Sequence, residues 1–171
     1  MKRKVAIILL LVVLTAIGYL GFSIYSEFQQ KQAIQERISD LPEFTLTNLE
    51  GEQVESGGMV EQKPLILTYF NTECRFCKAE IASIKEHELI QERAAIFLLS
   101  DEPENILKEF ARTMKLDSLQ AVQVFRDSSR EVKNLFGVNG VPYTFVYDAN
   151  GKLLEKFKGE TRAGVLYDLI K

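Results

Sequence analysis

Two kinds of hydrophobic pattern alternate along the chain after about residue 40, and together they predict an α/β fold. Nearly continuous apolar runs, LILTYF (residues 65–70) and AIFLLS (residues 95–100), are typical of buried strands. Between them, apolar residues recur three and four positions apart, as at Cys77, Ile81 and Ile84, which predicts a helix with one buried face. Strands that alternate with helices favour a largely parallel sheet covered by helices on both faces.

Hairpin patterns flank this alternation. FTLTNLEGEQV (residues 44–54) alternates apolar and polar positions around a turn at residues 50–51, and a second hairpin is predicted from YTFVY and KLLEKFK around residues 148–151. The predicted order of elements is hairpin, β, α, β, α, β, α, β, β, α. Helices are predicted over residues 75–91, from Pro103 as the first helical residue, over residues 131–136 and from about residue 161. Seven aromatic residues fit core positions: Phe44, Tyr69, Phe70, Phe97, Phe110, Phe125 and Phe145.

The first 25 residues differ in character from the rest. After the basic start MKRK, residues 5–25 carry no charge, and 21 residues are enough to cross a bilayer as a helix. A cleaved signal peptide is the alternative, but its apolar part is usually shorter, and no clear cleavage site follows. We therefore expect an uncleaved signal anchor over residues 1–25, with the domain exported to the periplasmic or outer side of the membrane. Residues 26–40 are predicted to form a polar helical stalk, and residues 41–171 one domain.

Composition and charge exclude some classes of function. The chain of 171 residues is 46% hydrophobic and 26% charged, which is ordinary for a globular protein. Three of its basic residues precede the apolar run, so the remainder carries 24 acidic residues against 18 Lys and Arg. Nothing basic enough to follow a nucleic acid is present. No glycine-rich phosphate loop occurs either, and no cofactor is predicted.

The candidate chemistry is concentrated in TYFNTECRFCKAEI (residues 68–81), which contains both cysteines of the chain. A disulfide between Cys74 and Cys77 would close so short a loop that it would add little stability. The pair is therefore better suited to making and breaking a disulfide than to holding a fold together. It follows a buried strand and begins a helix, and such sheets react at the carboxyl ends of their strands.

A C-x-x-C motif in this position, followed later by Val141-Pro142 before a strand hairpin, resembles the thioredoxin superfamily. The leading hairpin, an extra α-β unit (residues 103–125) and the anchor are similar to its membrane-anchored TlpA- and ResA-like thiol-disulfide oxidoreductases. The likeness covers residues 41–171. It implies a thioredoxin-like α/β fold, in which helices flank a central mixed sheet with an N-terminal β-hairpin and the inserted α-β unit. It also implies an enzyme, a thiol-disulfide oxidoreductase.

The sequence departs from the family pattern at three positions near the motif. Glu73 and Phe76 stand where the family often has Trp and Pro. Thr68 corresponds by spacing to a buried Asp of thioredoxin, and a threonine cannot take up a proton. These departures concern the redox potential and the partner surface more than the fold.

The two cysteines are expected to have different roles. Cys74 is predicted at the tip of a helix, where free N–H groups and the helix dipole stabilise a thiolate, so it would be the attacking nucleophile. Arg75 and Lys78 add positive charge nearby, and Glu73 opposes them. Cys77 lies one turn deeper and would be the resolving thiol, which attacks the mixed disulfide formed by Cys74.

Glu80 borders the apolar face of the same helix. It is either a carboxylate that reaches solvent or a partly buried acid with a raised pKa that exchanges a proton with Cys77, and the resemblance favours the second. The base rate for X-Pro bonds favours trans at Pro142, whereas the resemblance implies a cis bond, with Val141 offering backbone groups to an extended substrate. Arg75 and Phe76 complete the predicted substrate-binding residues.

The predicted function is disulfide reduction on exported protein thiols, and the resemblance implies a membrane thiol carrier as the electron donor. An oxidase that works in the opposite direction remains possible on these residues. A thiol peroxidase is a further alternative, but Leu67 and Asn71 stand at the Pro and Thr positions of the peroxiredoxin motif P-x-x-x-T-x-x-C. A noncatalytic tethered binding module is the alternative outside enzymes. His87, the single histidine, is expected at the surface, and with the cysteines it is one ligand short of a closed zinc site.

Overall fold

The structure, a computed structural model, describes residues 2–58 and 63–171, with side chains from residue 14 onward. The chain divides into two compact units, Met1–Glu36 and Arg37–Lys171. Helix α1 (Lys2–Arg37) runs without a break through the predicted anchor and most of the predicted stalk. No helix within the described part is long and apolar enough to cross a membrane. Residues 5–13 of the predicted anchor lie outside the described side chains.

The second unit is built on a seven-stranded sheet. Its strands are β1 (Thr45–Asn48), β2 (Gln53–Glu55), β3 (Leu65–Tyr69), β4 (Ala95–Ser100), β5 (Val122–Arg126), β6 (Tyr143–Tyr147) and β7 (Leu153–Lys158). They lie in the order β2-β1-β5-β4-β3-β6-β7. Only β3, β4 and β5 run parallel to one another, and the remaining neighbours are antiparallel. The sheet is therefore mixed, as the resemblance implied, and less parallel than the alternation of elements indicated, because both hairpins join it in antiparallel fashion.

In the described part of this unit, five α-helices accompany the sheet: α2 (Arg75–Lys85), α3 (Glu88–Arg93), α4 (Glu104–Met114), α5 (Glu131–Leu135) and α6 (Ala163–Ile170). The helix predicted over residues 75–91 is in fact two helices. His87 separates them because its Nδ1 accepts a hydrogen bond from the Ile90 N–H (3.3 Å) and so caps α3. Pro103 is the residue before the first turn of α4 rather than the first helical residue.

The core occupies both faces of the sheet, since successive side chains of a strand point to opposite sides. On one face, Ile66 and Val146 lie in a cluster with the apolar stripe of α2, which comprises Cys77, Ile81 and Ile84. All seven aromatic residues predicted for the core are buried. Several of them pack edge to face, for example Phe97 on Phe125 and Phe136 on Phe145.

The strand register brings the cysteine pair and the Val141-Pro142 loop to the same end of the strands. Strand β3 ends at Tyr69, and residues 70–74 lead directly into α2. In the antiparallel pair β3–β6, Tyr69 lies opposite Tyr143. The start of β6, which follows Val141-Pro142, is therefore beside the end of β3, next to the cysteines.

Candidate active site

Cys74 lies at the amino end of α2 and belongs to the helix cap. Its Sγ accepts a hydrogen bond from the Cys77 N–H (3.3 Å), one of the N–H groups that the first helical turn leaves free. The Cys74 thiol in turn donates to the Val141 carbonyl (3.8 Å). The Val141–Pro142 bond is cis, as the resemblance implied. The nucleophile predicted from the sequence therefore lies half-buried at the helix tip, in contact with the loop predicted to bind substrate.

Cys77 is fully buried, on the side of α2 that faces the core. Both cysteines are free thiols in this structure. Burial raises the pKa of the Cys77 thiol to about 12, with further contributions from its interaction with Cys74 and from negative charge at Cys74 and Glu80, against a smaller lowering by the Asn71 backbone. Cys77 is thus held as a neutral thiol at physiological pH, and it needs a proton acceptor before it can attack.

Glu80 is also fully buried, which decides between the two placements considered from the sequence. The Thr161 N–H donates to its Oε2 (2.8 Å), and the Thr144 hydroxyl donates to its Oε1. Burial raises the pKa of Glu80 and outweighs the lowering by these two hydrogen bonds, and the charge of Glu160 raises it further. A carboxyl group that binds a proton more tightly than usual therefore lies one helical turn from the buried thiol.

Comparison with known proteins identifies the family of the chain. The model of the AhpC/TSA family matches residues 39–156. The chain belongs to the AhpC/TSA family. The chain is also similar over its full length to a curated relative. The thiol-disulfide oxidoreductase ResA of Bacillus thuringiensis is 26% identical to it over 174 residues, which cover 100% of this chain and 98% of ResA.

Solved structures show the same fold as this AhpC/TSA-family protein. A secreted disulfide oxidoreductase of Mycobacterium tuberculosis is 19% identical with a TM-score of 0.62, over 78% of this chain and 96% of that one. Peroxidoxin BcpB of the same organism is 20% identical with a TM-score of 0.63, over 75% of this chain and 89% of that one. The comparisons confirm three predictions: the thioredoxin-like fold, the resemblance to ResA-like proteins and the enzyme class of thiol-disulfide oxidoreductase.

Among the predicted substrate-binding residues, Val141 contacts the Cys74 thiol, and Arg75 and Phe76 directly follow Cys74 along the chain. Phe76 is 49% exposed, so a large apolar ring between the two cysteines is open to solvent. The guanidinium carbon of Arg75 lies 4.9 Å from the centre of the Phe76 ring, so the two side chains form one cation–π pair. His87 lies between α2 and α3, and its half-buried ring is 5.2 Å from that of Tyr167. Its capping of α3 gives it a structural role.

Glu102 is a residue of the site region that the sequence did not reveal. Its carboxylate accepts hydrogen bonds from the Thr72 N–H (2.7 Å) and the Thr72 hydroxyl (2.8 Å), and also from the Ser100 hydroxyl (3.1 Å). Glu102 therefore joins the end of β4 to the loop that precedes Cys74. The only sequence signal was an acidic residue just after a buried strand, which is too common to single out.

Thr144 and Thr161 were missed as well, and both act on Glu80. Thr161 lies in the connection between β7 and α6, where the Gly159 N–H also donates to the Pro142 carbonyl (2.9 Å). One short segment thus binds both the buried carboxyl group and the loop beside Cys74. These partners lie more than 60 residues from Glu80 along the chain, and only the folded register brings them together.

Proposed function

We propose that this protein is a disulfide reductase that acts on exported protein thiols from the surface of the cell membrane. The observation that carries the proposal is the asymmetry of the pair. Cys74 is accessible at the helix tip, whereas Cys77 is buried one turn behind it, beside a buried carboxyl group that can hold a proton. An inert or purely structural pair has no need of this division.

The geometry supports a two-step exchange. The Cys74 thiolate attacks one sulfur of a substrate disulfide, so that a Cys74–substrate disulfide forms and the other substrate sulfur leaves as a thiolate. Cys77 then gives its proton to Glu80 and attacks the Cys74 sulfur. The Cys74–Cys77 disulfide forms, and the second substrate sulfur leaves. The substrate gains two electrons, and a thiol donor at the membrane returns them to the enzyme.

Substrate binding in this proposal uses the exposed surface around Cys74. An extended peptide would lie along the Val141-Pro142 loop, where backbone groups can pair with it as an added strand. The exposed Arg75–Phe76 pair lies beside the attacking sulfur and would contact the residues next to the substrate cysteine. This surface is open, as the reduction of protein disulfides requires.

The cellular location in this proposal is inferred from the amino-terminal sequence. The basic start and the uncharged residues 5–25 support an uncleaved anchor and an exported domain, and one protein of similar fold is described as secreted. Protease added to intact spheroplasts should then degrade the domain, and the chain should begin at or near Met1. A soluble form that begins after residue 20 would contradict the anchor.

The peroxidase and binding-module alternatives are separated from reduction by one set of rate measurements. The reduced full-length protein is mixed with a peptide disulfide or with hydrogen peroxide, and formation of the Cys74–Cys77 disulfide is followed. We expect fast oxidation by the peptide, loss of reaction in Cys74→Ser and a stable peptide adduct in Cys77→Ser. Faster oxidation by peroxide would indicate a peroxidase. Reaction with neither oxidant would indicate a binding module.

A further inference from the structure

A chain of three buried polar side chains extends from Glu80 across the sheet. The Thr144 hydroxyl is bonded to Glu80 Oε1, and the hydroxyl oxygens of Thr144 and Thr68 are 2.8 Å apart. All three residues are fully buried. Thr144 and Thr68 lie directly opposite each other in the β6–β3 pair, so the fold fixes their separation.

The two oxygens of Glu80 have partners of different chemical capacity. The Thr161 N–H at Oε2 can only donate a hydrogen bond, whereas the Thr144 hydroxyl at Oε1 can either donate or accept. A proton on Glu80 is therefore best placed on Oε1, where Thr144 can accept it as a hydrogen bond. The hydroxyl of Thr144 then turns away from Glu80, and the Thr68 oxygen is in position to accept it.

The same number of hydrogen bonds is present in both protonation states. With Glu80 ionised, Thr68 donates to Thr144 and Thr144 donates to Glu80. With Glu80 protonated, Glu80 donates to Thr144 and Thr144 donates to Thr68. Each threonine keeps its own hydrogen and only rotates, so the proton that Glu80 receives from Cys77 stays on Glu80.

We propose that Thr144 and Thr68 are positioning residues for Glu80: Thr144 holds the carboxyl group directly, and Thr68 acts on it through Thr144, so that Glu80 can exchange a proton with Cys77. This inference rests on the proposed oxidoreductase function, and it assigns a role to the threonine that replaces the buried Asp of thioredoxin. Within residues 2–58 and 63–171, the charged or titratable groups that face Glu80 are Cys77 on its own helix and Glu160 on the connection to α6.

The direction of the effect follows from the strength of the hydrogen bonds. A bond to an ionised carboxylate is roughly twice as strong as one between neutral groups. Thr144→Val removes a bond from both states of Glu80, and the ionised state loses more, so the protonation midpoint of Glu80 rises. Thr68→Val leaves the bond between Thr144 and Glu80 in place, but in the protonated state it removes the acceptor of the Thr144 hydroxyl. A buried donor left without an acceptor costs more than the polarisation that the ionised state loses, so the midpoint falls.

The test is a double-mutant cycle on the titration of Glu80 itself. Full-length reduced protein in micelles is labelled with ¹³C at the glutamate carboxyl carbons, and the Glu80 signal is assigned by its absence in Glu80→Gln. We expect Thr144→Val to raise the midpoint by about one pH unit, a tenfold change in the protonation constant. Thr68→Val should lower it by a smaller amount, and the double variant should match Thr144→Val alone.

Serine variants at both positions are the matched controls, because they keep the hydroxyl group and should retain the midpoint of the parent protein. A Thr68→Val effect that persists in the double variant, or a Thr144→Val midpoint equal to that of the parent, would overturn the inference. The titration does not depend on turnover. A protein that titrates as expected but does not react with disulfides would refute the proposed function and leave the threonine pair in place.

Discussion

Removal of the Glu102 carboxylate should weaken the fold at the loop that carries Cys74. Glu102→Ala leaves three donors without their acceptor: the Thr72 N–H, the Thr72 hydroxyl and the Ser100 hydroxyl. Thr72 is 4% exposed, so water cannot readily replace the lost partner. The two hydroxyl groups can rotate toward other acceptors, whereas the backbone N–H cannot.

The expected size of the effect follows from that difference. A buried donor left without an acceptor costs about 1–3 kcal/mol, and hydroxyls that find partial replacements cost less. We expect Glu102→Ala to lower the free energy of unfolding by about 2–4 kcal/mol, a large part of the roughly 5–15 kcal/mol typical of a folded domain. Glu109→Ala, an exposed change on α4, is the matched control and should alter stability little.

Urea unfolding followed by circular dichroism measures the global effect, since the chain contains no tryptophan. Hydrogen exchange of the Thr72 amide measures the local one, and this amide should exchange much faster in Glu102→Ala than in the parent or in Glu109→Ala. Equal stability of the two alanine variants, together with unchanged protection of Thr72, would refute the argument that Glu102 holds this loop.

Three further predictions concern the site itself. Burial raises the pKa of Glu80 in the folded protein, so the parent should lose stability as pH rises above the ordinary pKa of a glutamate. In urea unfolding between pH 4 and pH 8, the free energy of unfolding of Glu80→Gln should therefore increase relative to that of the parent. A difference that does not change with pH would contradict this. Iodoacetamide at pH 8 should modify Cys74 and spare Cys77, because Cys77 is fully buried and burial raises the pKa of its thiol to about 12. Equal labelling in peptide mass spectrometry would be inconsistent with the buried thiol. Phe76→Ala should slow the reaction with a peptide disulfide without loss of stability. Leu154→Ala, at a similarly exposed position on β7, should change neither the reaction rate nor the stability. If Phe76→Ala reacts as fast as the parent protein, Phe76 is not part of the substrate surface.

The sequence predicted the strands well because each one is a local signal. Buried runs such as residues 65–70 and 95–100 need only a few consecutive apolar residues to be recognised, and the hairpin turns carry their own glycines. The break between α2 and α3 was missed because residues 86–91 contain no glycine or proline to mark it. The cap at His87 is also made by a side chain rarely used there.

The site was predictable only in part. The cysteines and their order along α2 follow from spacing, and the family resemblance favoured a buried Glu80 and a cis bond before Pro142. The hydrogen bonds that give Glu80 its environment could not be read from the sequence, because Thr144 and Thr161 are distant along the chain. The same holds for Thr68, whose partner depends on the β3–β6 register. Long-range pairing, rather than local preference, decides these contacts.

The most direct test of the division between Cys74 and Cys77 is trapping in the cell that normally produces the protein. Full-length Cys77→Ser should accumulate mixed disulfides with exported proteins, visible on non-reducing gels and dissolved by reductant, because Cys74 can attack but the adduct cannot be resolved. Cys74→Ser should accumulate almost none, since its remaining thiol is buried. Mass spectrometry of the trapped proteins would identify the substrates and the electron donor. Equal trapping by both variants, or by neither, would contradict the mechanism.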